Sequence, residues 1–354
     1  MKSLVSRARS LAIGSALAVA SLGFAGTVPA AAASTNWHVQ VGGGNETDSS
    51  TNRFYVNDIT VHPGDTVEFD WGGFHTVTFN PPPNSTIFDF FGPTAGSTLA
   101  APGDFINATP AGGGPGSPPP PPFVLTIGSN LPSGAYHYRC SIHQFMKGVV
   151  RVTKGELEGK DSDNVKRGTA QRLADEARAV SLDKKLTRQA AEKDGEALAG
   201  AGDRVAEFIK FYPSAITVGV GDELTFTQAD LHEPHTVTFG PVTGNPQNPA
   251  FGVFPSGPGN PEAYDGVAPL NSGYLLHKSQ YDFWNIKQSP VSAVVPTTHF
   301  SVTFTKPGSY PFYCLLHGFR DPATGQVGGM SGTITVTASQ GDGGNGDRNS
   351  RGHT

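Results

Sequence analysis

Cysteine is scarce in this sequence, with only two among 354 residues. Two cysteines are too few for the disulfide framework on which small secreted proteins depend. A single disulfide between Cys140 and Cys314 fits the count, but each cysteine is followed three residues later by a histidine. A disulfide does not require that histidine, so the pattern favours another role for both thiols.

Charge is also low, at 16% of residues, with a net charge of −5. A chain without a basic excess gives no reason to expect a nucleic acid or an anionic membrane as its partner.

The N-terminal segment has the pattern of an export signal. Three basic residues among the first nine precede an apolar stretch at 11–26, and three alanines at 31–33 suit a cleavage site. We therefore predict that residues 1–33 are removed and that the protein is exported, to become secreted, cell-surface or periplasmic. We predict no membrane span after removal. The alternative is a retained membrane anchor, for which the apolar stretch is short.

Glycine and proline are abundant, at 45 and 29 residues. Together with few charges, this composition favours many short strands over a helical bundle. Residues 80–122, rich in Pro, Gly, Ala and Ser, are predicted to form a long loop. Alternating apolar and polar residues predict strands at 37–41, 54–61, 66–71, 75–79, 123–127, 134–140 and 148–152.

A highly charged segment follows at 154–204, with 11 basic and 11 acidic residues and no proline. Apolar residues recur there at helical spacing, so we predict a charged helical linker, arranged as a helical hairpin. Ser181 would cap its second helix and Gly195 would end it. A partner-binding coiled coil is the alternative, although the apolar repeat is brief.

The strand pattern then repeats in the second half of the chain. Four segments match in the same order: 59–65 with 216–222, 74–79 with 234–239, 134–140 with 308–314, and 146–152 with 330–336. This order indicates a duplicated all-β unit. We predict a first domain at 34–154, a linker at 155–204, a second domain at 205–338 and a disordered tail at 339–354.

Cys140, His143 and Met146 lie within seven residues, between two predicted strands. A turn this short directs all three side chains toward one point. His75 begins an alternating run on another strand and recurs in the repeat as His235, so it is the candidate fourth ligand. Two histidines, a cysteine and a distant methionine are the ligands of blue-copper sites.

The second half offers His235, Cys314, His317 and Met330 as the equivalent set. Twelve residues separate His317 from Met330, so an axial position open to water is the alternative there. His232 lies as far after Gly221 as His75 lies after Gly64, but His235 carries the matching segment and is preferred. The two unmatched histidines, His277 and His299, are predicted to be surface or loop residues.

Soft thiolate and thioether ligands favour copper over calcium or magnesium, whereas zinc prefers four firm ligands without methionine. A catalytic Cys–His pair is the other alternative. That alternative accounts for neither the methionine nor the duplication.

With these motifs in place, both halves resemble cupredoxins, the plastocyanin and azurin family, and Cys-x2-His-x2-Met resembles the ligand loop of amicyanin. The resemblance implies two Greek-key β-sandwiches, each holding one mononuclear type 1 copper, and outer-sphere electron transfer. Multicopper oxidases of this architecture carry His-x-His pairs, which are absent from this sequence, so we predict no enzyme activity. The partners would be redox proteins that the sequence does not identify. The exposed edge of His143 or His317 would be the electron port, with Phe145 in a docking surface. Copper storage or delivery is the alternative function, and a copper oxidoreductase with a site between the domains, at His232 or His277, is a third.

Overall fold

The computed structural model describes residues 34–44, 48–111, 118–157, 159–241, 254–293 and 295–338. The predicted export signal at 1–33 and the predicted tail at 339–354 lie outside these ranges. Both cysteines are described, and both are free thiols in buried positions.

The first half of the described chain contains ten strands. Those at 66–71 and 123–127 have the predicted bounds, and alternate residues of each face the core, although Val124 in the second of them is apolar and exposed. A 3₁₀ helix, Ile87–Phe90, lies between the fifth and sixth strands. The strands are Asn36–Gly44 (β1), Ser49–Tyr55 (β2), Asp58–Val61 (β3), Thr66–Trp71 (β4), Val77–Phe79 (β5), Thr98–Leu99 (β6), Ile106–Ala108 (β7), Phe123–Ile127 (β8), Gly134–Arg139 (β9) and Lys147–Val152 (β10).

One long helix, Asp161–Ala191 (α1), connects this half to nine further strands. A short helix, Lys278–Phe283 (α2), and 3₁₀ helices at Pro261–Ala263 and Ile286–Gln288 lie among them. The strands are Glu196–Gly202 (β11), Ala206–Tyr212 (β12), Ala215–Gly219 (β13), Glu223–Ala229 (β14), Thr238–Phe239 (β15), Leu270–Asn271 (β16), His299–Thr303 (β17), Gly308–Arg320 (β18) and Val327–Thr337 (β19).

The two halves share one sheet and each has a second sheet of its own. The shared sheet has nine strands in the order β17-β14-β11-β12-β2-β1-β4-β8-β6, and β2 pairs antiparallel with β12 where the halves meet. The separate five-stranded sheets are β3-β10-β9-β5-β7 and β13-β19-β18-β15-β16. The predicted fold class, all-β with two Greek-key β-sandwiches joined by a charged helix, is confirmed.

Aromatic side chains fill the space between the sheets in both halves. In the first half the ring of Tyr138 on β9 lies 4.6 Å from that of Phe54 and 5.1 Å from that of Phe79. In the second half Phe312 on β18 lies 4.7 Å from Phe211. The contacts with Phe54 and Phe211 are edge-to-face and the one with Phe79 is stacked, and both kinds add to the free energy gained by burying the rings. Both cores lie directly beneath the cysteines.

Helix α1 replaces the predicted helical hairpin. Ser181 lies within the helix, where its hydroxyl donates to the carbonyl of Ala177 at 3.1 Å instead of capping a second helix. No proline interrupts α1, so nothing forces a break. Gly195 follows the helix with φ +68°, a left-handed conformation that suits glycine.

Both apolar and charged contacts hold α1 on the shared sheet. Ala179 and Ala190 pack in a buried cluster with Phe208 and Tyr212 of β12. Asp175 pairs with Arg53 of β2 at 2.9 Å, and further pairs reach β1 and β12. The linker charges therefore fix the helix across strands of both halves. Within the described residues, no helix is both long and apolar enough to cross a membrane.

Four other stretches differ from their predicted secondary structure. The loop predicted at 80–122 contains the first 3₁₀ helix, β6 and β7. The strand predicted at 54–61 is divided into β2 and β3, and the one predicted from position 75 begins at Val77. Strand β11 lies inside the range assigned to the linker, where its Ala- and Gly-rich sequence has little β propensity and pairing with β12 and β14 overrides it.

Candidate metal centres

A thiol and two imidazoles converge in the first half. The ligand atoms of His75, Cys140 and His143 all lie within 4.8 Å of one another. Nδ1 of His75 lies 2.9 Å from Nδ1 of His143, and Sγ of Cys140 lies 3.4 Å from the same Nδ1 of His143. All three side chains are buried. We call this group the first centre.

The loop between β9 and β10 shapes the first centre. Cys140 follows β9 directly, and its N–H donates to the carbonyl of Met146 at 3.0 Å. The N–H of Met146 donates to the carbonyl of His143 at 3.1 Å, which closes the turn. Met146 is buried in the same apolar cluster as Cys140. The backbone N–H of Thr76, beside His75, donates to Sγ of Cys140 at 3.3 Å.

The second half contains the same arrangement. His235, Cys314 and His317 form a group within the same limit. The two Nδ1 atoms lie 3.2 Å apart, and Sγ of Cys314 lies 3.6 Å from Nδ1 of His317. The N–H of Thr236 donates to Sγ of Cys314 at 3.3 Å. We call this group the second centre.

Met330 lies in the same strand register as Met146 despite the twelve intervening residues. Those residues extend β18 and β19 into a hairpin, in which Gly318 pairs with Gly329. Beyond the hairpin, Ser331 after the methionine pairs with Tyr313 before the cysteine. In the first half Lys147 pairs with Arg139 in the same way. Met330 is buried in the apolar cluster that contains Cys314. The twelve residues therefore form a hairpin that begins and ends beside the centre, and they do not shift Met330 in the strand register.

One glycine in each half makes room for a histidine ring. Gly42 has φ +76°, and a Cβ there would lie 2.0 Å from Nε2 of His75. Gly200 has φ +73°, and a Cβ there would lie 2.0 Å from Nε2 of His235. A side chain at either position would displace the imidazole as well as strain the backbone.

Each centre has the electrostatics of a cation site. Burial raises the pKa of the Cys140 and Cys314 thiols, but the neighbouring histidines more than offset it and hold both pKa values well below the usual range. Burial lowers the pKa of His143 and His317, but the thiolates and a glutamate hold both well above the usual range. The thiolate is the form that binds metals, and a bound metal ion can replace the positive charge of the histidine protons.

The two centres differ in the hydrogen-bond partner of Nε2 of their first histidine, His75 or His235. In the second centre, Nε2 of His235 lies 3.0 Å from Oδ2 of Asp230, and both side chains are fully buried. A carboxylate only accepts hydrogen bonds, so Nε2 of His235 is the donor and Nδ1 faces the sulfur. In the first centre, Nε2 of His75 is buried without a hydrogen-bond partner among the described residues.

His232 does not belong to either group of ligands. Its Nε2 lies 2.8 Å from the carbonyl oxygen of Asp203, and its N–H donates to Asp230 at 2.8 Å. The structure thus places His235, and not His232, beside Cys314. Of the other two histidines predicted to be peripheral, His299 is exposed and His277 precedes α2, partly exposed.

The second half covers the first centre. Nε1 of Trp284 donates to the carbonyl of Ile142 at 2.8 Å, and Nε2 of Gln144 donates to the carbonyl of Leu231 at 2.7 Å. Apolar residues at 276–291, which we call the covering segment, join the first core: Leu276, Tyr281, Trp284, Ile286 and Val291.

The side chain of His143 is consequently only 3% exposed. The prediction that its exposed edge forms an electron port is therefore wrong. The residues of the second half that lie against His143 are Glu207, His232 and Glu233, all more than sixty positions away in the sequence, so the local pattern around His143 did not reveal them.

Two acidic residues of the second half lie beside His143. Oε1 of Glu233 is 3.4 Å and Oε2 of Glu207 is 3.8 Å from its Nε2. Burial raises the pKa of Glu207 to about 8, and the charge of Asp230 acts in the same direction. Burial also raises the pKa of Glu233, but hydrogen bonds from His143 and His317 hold it well below its usual range. Glu233 is thus the charged acceptor.

The sequence interpretation did not identify Asp230, Glu233 or Glu207 as part of the candidate site. One signal pointed to the first two. From the matching turn glycine to the ligand histidine, the second half (Gly221 to His235) is three residues longer than the first (Gly64 to His75), and Asp230 and Glu233 both lie in this longer segment.

Comparisons with known proteins give distant similarities only. No protein-family model matches the chain. A plastocyanin from the fern Dryopteris crassirhizoma is 22% identical, over 40% of this chain and 99% of the plastocyanin, with a TM-score of 0.21. A mutant of amicyanin in its Cu(I) form is 20% identical, over 42% of this chain and 89% of the amicyanin, with the same TM-score of 0.21. Values this low do not establish a family.

Proposed function

We propose that the protein is a copper-binding electron-transfer protein with one mononuclear type 1 copper in each half, as the resemblance to cupredoxins implies. One observation carries the proposal. A thiolate and two imidazole Nδ1 atoms converge twice in the chain, each time with a buried methionine in the same strand register. The predicted domains at 34–154 and 205–338 would each hold one centre, on either side of the linker predicted at 155–204.

The donor atoms suit copper better than other common metals. The first centre would use His75, Cys140, His143 and Met146. Calcium and magnesium select oxygen donors, and structural zinc sites do not use thioethers. The second centre would use the corresponding set, His235, Cys314, His317 and Met330.

The surrounding residues support reversible electron transfer. Bound copper would supply a one-electron couple between Cu(I) and Cu(II). The backbone N–H groups of Thr76 and Thr236 donate to the two sulfurs and so favour the thiolates. The closed loop from Cys140 to Met146 holds its donors on a rigid sandwich, which limits rearrangement between oxidation states.

The sequence disfavours catalysis at a second type of copper centre. Such a centre would need a His-x-His pair or a histidine directly before the cysteine. No His-x-His pair occurs in the sequence, and the residues before the cysteines are Arg139 and Tyr313. We therefore propose electron exchange with redox proteins as the activity, without substrate chemistry. Export, predicted from residues 1–33, is part of this proposal, and N-terminal sequencing of the protein secreted by its host would test it.

The test is a titration of purified protein with Cu(II), followed by spectroelectrochemistry. We expect two coppers per chain, strong visible absorption from thiolate-to-copper charge transfer, and reversible reduction at both centres. Colourless protein would contradict the type 1 assignment. Protein that exchanges Cu(I) readily but shows no reversible couple would instead support copper storage or delivery.

A further inference from the structure

Glu233 lies between the outer nitrogens of one histidine from each centre. Its Oε1 is 3.4 Å from Nε2 of His143, and its Oε2 is 2.8 Å from Nε2 of His317. The carboxylate is 18% exposed, whereas the His143 and His317 side chains are 3% and 14% exposed. The two candidate centres are thus joined by a chain of two imidazoles and one carboxylate.

This arrangement fits histidines that hold a metal through Nδ1. Such a neutral imidazole carries its proton on Nε2 and has to donate it to an acceptor. A carboxylate accepts at both oxygens and donates at neither, so Glu233 can serve His143 and His317 at the same time. A hydrogen-bonded carboxylate also fixes the orientation of each ring.

Access from solvent differs between the centres. His75 is 1% exposed, and Glu207, His232 and Glu233 of the second half lie against His143, so the first centre has no exposed ligand edge. His317 of the second centre is the most exposed of the four ligand histidines, with 14% of its side chain accessible. An electron donor in solution can therefore approach the second centre more closely.

We propose that electrons enter at the second centre and reach the first through His317, Glu233 and His143, with Glu233 as the positioning residue. The inference rests on the proposed function. In each transfer the second centre loses one electron and returns to its oxidised state, and the first centre gains that electron. Both Nε2 protons stay on their rings, so no proton or further reactant is needed.

Rapid mixing of the oxidised two-copper protein with hexaammineruthenium(II) tests the route, because this complex reacts by outer-sphere contact at exposed edges. In the native protein we expect one bleaching phase that depends on reductant concentration and a second that does not. In Glu233→Gln, the amide can accept from only one of the two histidines. The second phase should slow by about tenfold or more, equivalent to about 1.4 kcal/mol in the barrier.

Two further variants separate the route from a general structural effect. Asp265→Asn changes a partly exposed acid that pairs with Lys306 and belongs to neither centre, and its second phase should keep the native rate. Cys314→Ser removes the second centre, and the first centre should then bleach slowly with hexaammineruthenium(II). Rapid bleaching of the first centre in Cys314→Ser would overturn the proposal.

Nuclear magnetic resonance of the reduced, diamagnetic protein gives a readout that does not depend on activity. The Nε2 protons of His143 and His317 should both be observed at hydrogen-bonded shifts, and Glu233→Gln should move or broaden at least one. An unchanged second phase in a Glu233→Gln protein with two coppers would overturn this inference alone. Protein that binds no copper would overturn the proposed function as well.

Metal analysis tests whether Nε2 of His143 and Glu233 bind a further metal ion instead of forming a hydrogen bond with each other. Nε2 of His143 and the carboxylates of Glu207 and Glu233 lie close enough together to hold a further ion. Two metals per chain support the bridge. A third metal that is lost in Glu207→Gln would overturn it, because Oε1 of Glu233 would then bind that metal and not accept from His143.

Discussion

Replacing Asp230 with asparagine should raise the reduction potential of the second centre. Asp230 accepts from Nε2 of His235 at 3.0 Å through one oxygen and from the N–H of His232 at 2.8 Å through the other. Asparagine keeps the size of the side chain but has one oxygen, so it can accept from only one of these donors. The carboxylate charge behind His235 is also lost.

The expected shift follows from the strength of the hydrogen bond. Bonds to charged groups contribute roughly 1.5–3 kcal/mol and neutral ones roughly 0.5–1.5, so the substitution removes about 1 kcal/mol. The higher charge of Cu(II) makes the His235 N–H a better donor, so most of this loss falls on the oxidised state. For a one-electron couple, about 1.4 kcal/mol corresponds to about 59 mV, which predicts a rise of about 40 mV.

Spectroelectrochemical titration of single-centre variants measures this shift. The Cys140→Ser background reports the second centre alone, with and without Asp230→Asn. The same substitution in the Cys314→Ser background serves as the control, and the potential of the first centre should stay the same. An unchanged or lowered potential at the second centre, with copper still bound, would refute the role assigned to Asp230. His75 has no such acceptor among the described residues. The reduction potential of the second centre should therefore also be lower than that of the first.

Three other substitutions test separate parts of the structure. Gly200→Ala should reduce copper binding at the second centre, because the added Cβ meets His235 and the left-handed backbone costs about 1–2 kcal/mol; copper analysis and thermal unfolding measure both effects. Trp284→Phe removes the donor to the carbonyl of Ile142 and should destabilise the metal-free protein by about 1–3 kcal/mol, measured by denaturant unfolding. Met330→Leu keeps the volume, so stability should change by less than about 1.5 kcal/mol while the visible spectrum and potential of the second centre change.

Each of these substitutions has its own control. Gly221 also has a positive φ, but a Cβ there would meet nothing within 4 Å, so Gly221→Ala should cost stability without loss of copper. Equal copper loss in both glycine variants would contradict the steric role of Gly200. Faster reduction of the first centre should accompany Trp284→Phe, and unchanged kinetics would argue against the covering role of the segment. An unaltered spectrum in Met330→Leu would remove Met330 from the ligand set.

Local patterns were sufficient to predict several strands of the first half and the loop that follows Cys140. Alternation defined β4 and β8, and the short loop from Cys140 to Met146 left little conformational freedom. The repeated segments then indicated His75 and His235, which the structure brings beside the cysteines. These features depend on residues close in sequence or on a copy of the same pattern, so one chain is enough to detect them.

Features that depend on distant pairing could not be predicted in this way. The match between 146–152 and 330–336 assigned Met330, but it did not show that the twelve residues after His317 form a hairpin through cross-strand pairs. Strand β11 has weak β propensity and exists because it pairs with two neighbours. The burial of His143 and the position of Glu233 arise where the two halves meet, which no local pattern records.

The central claim is that each half holds its own type 1 copper. Copper analysis and visible absorption of the native protein, Cys140→Ser and Cys314→Ser test it most directly. We predict two coppers in the native protein and one in each variant, with the charge-transfer absorption of each variant reduced to the part due to the remaining cysteine. One copper in the native protein, lost in Cys140→Ser and unaffected by Cys314→Ser, would contradict the claim for the second half, and colourless native protein would contradict it for both.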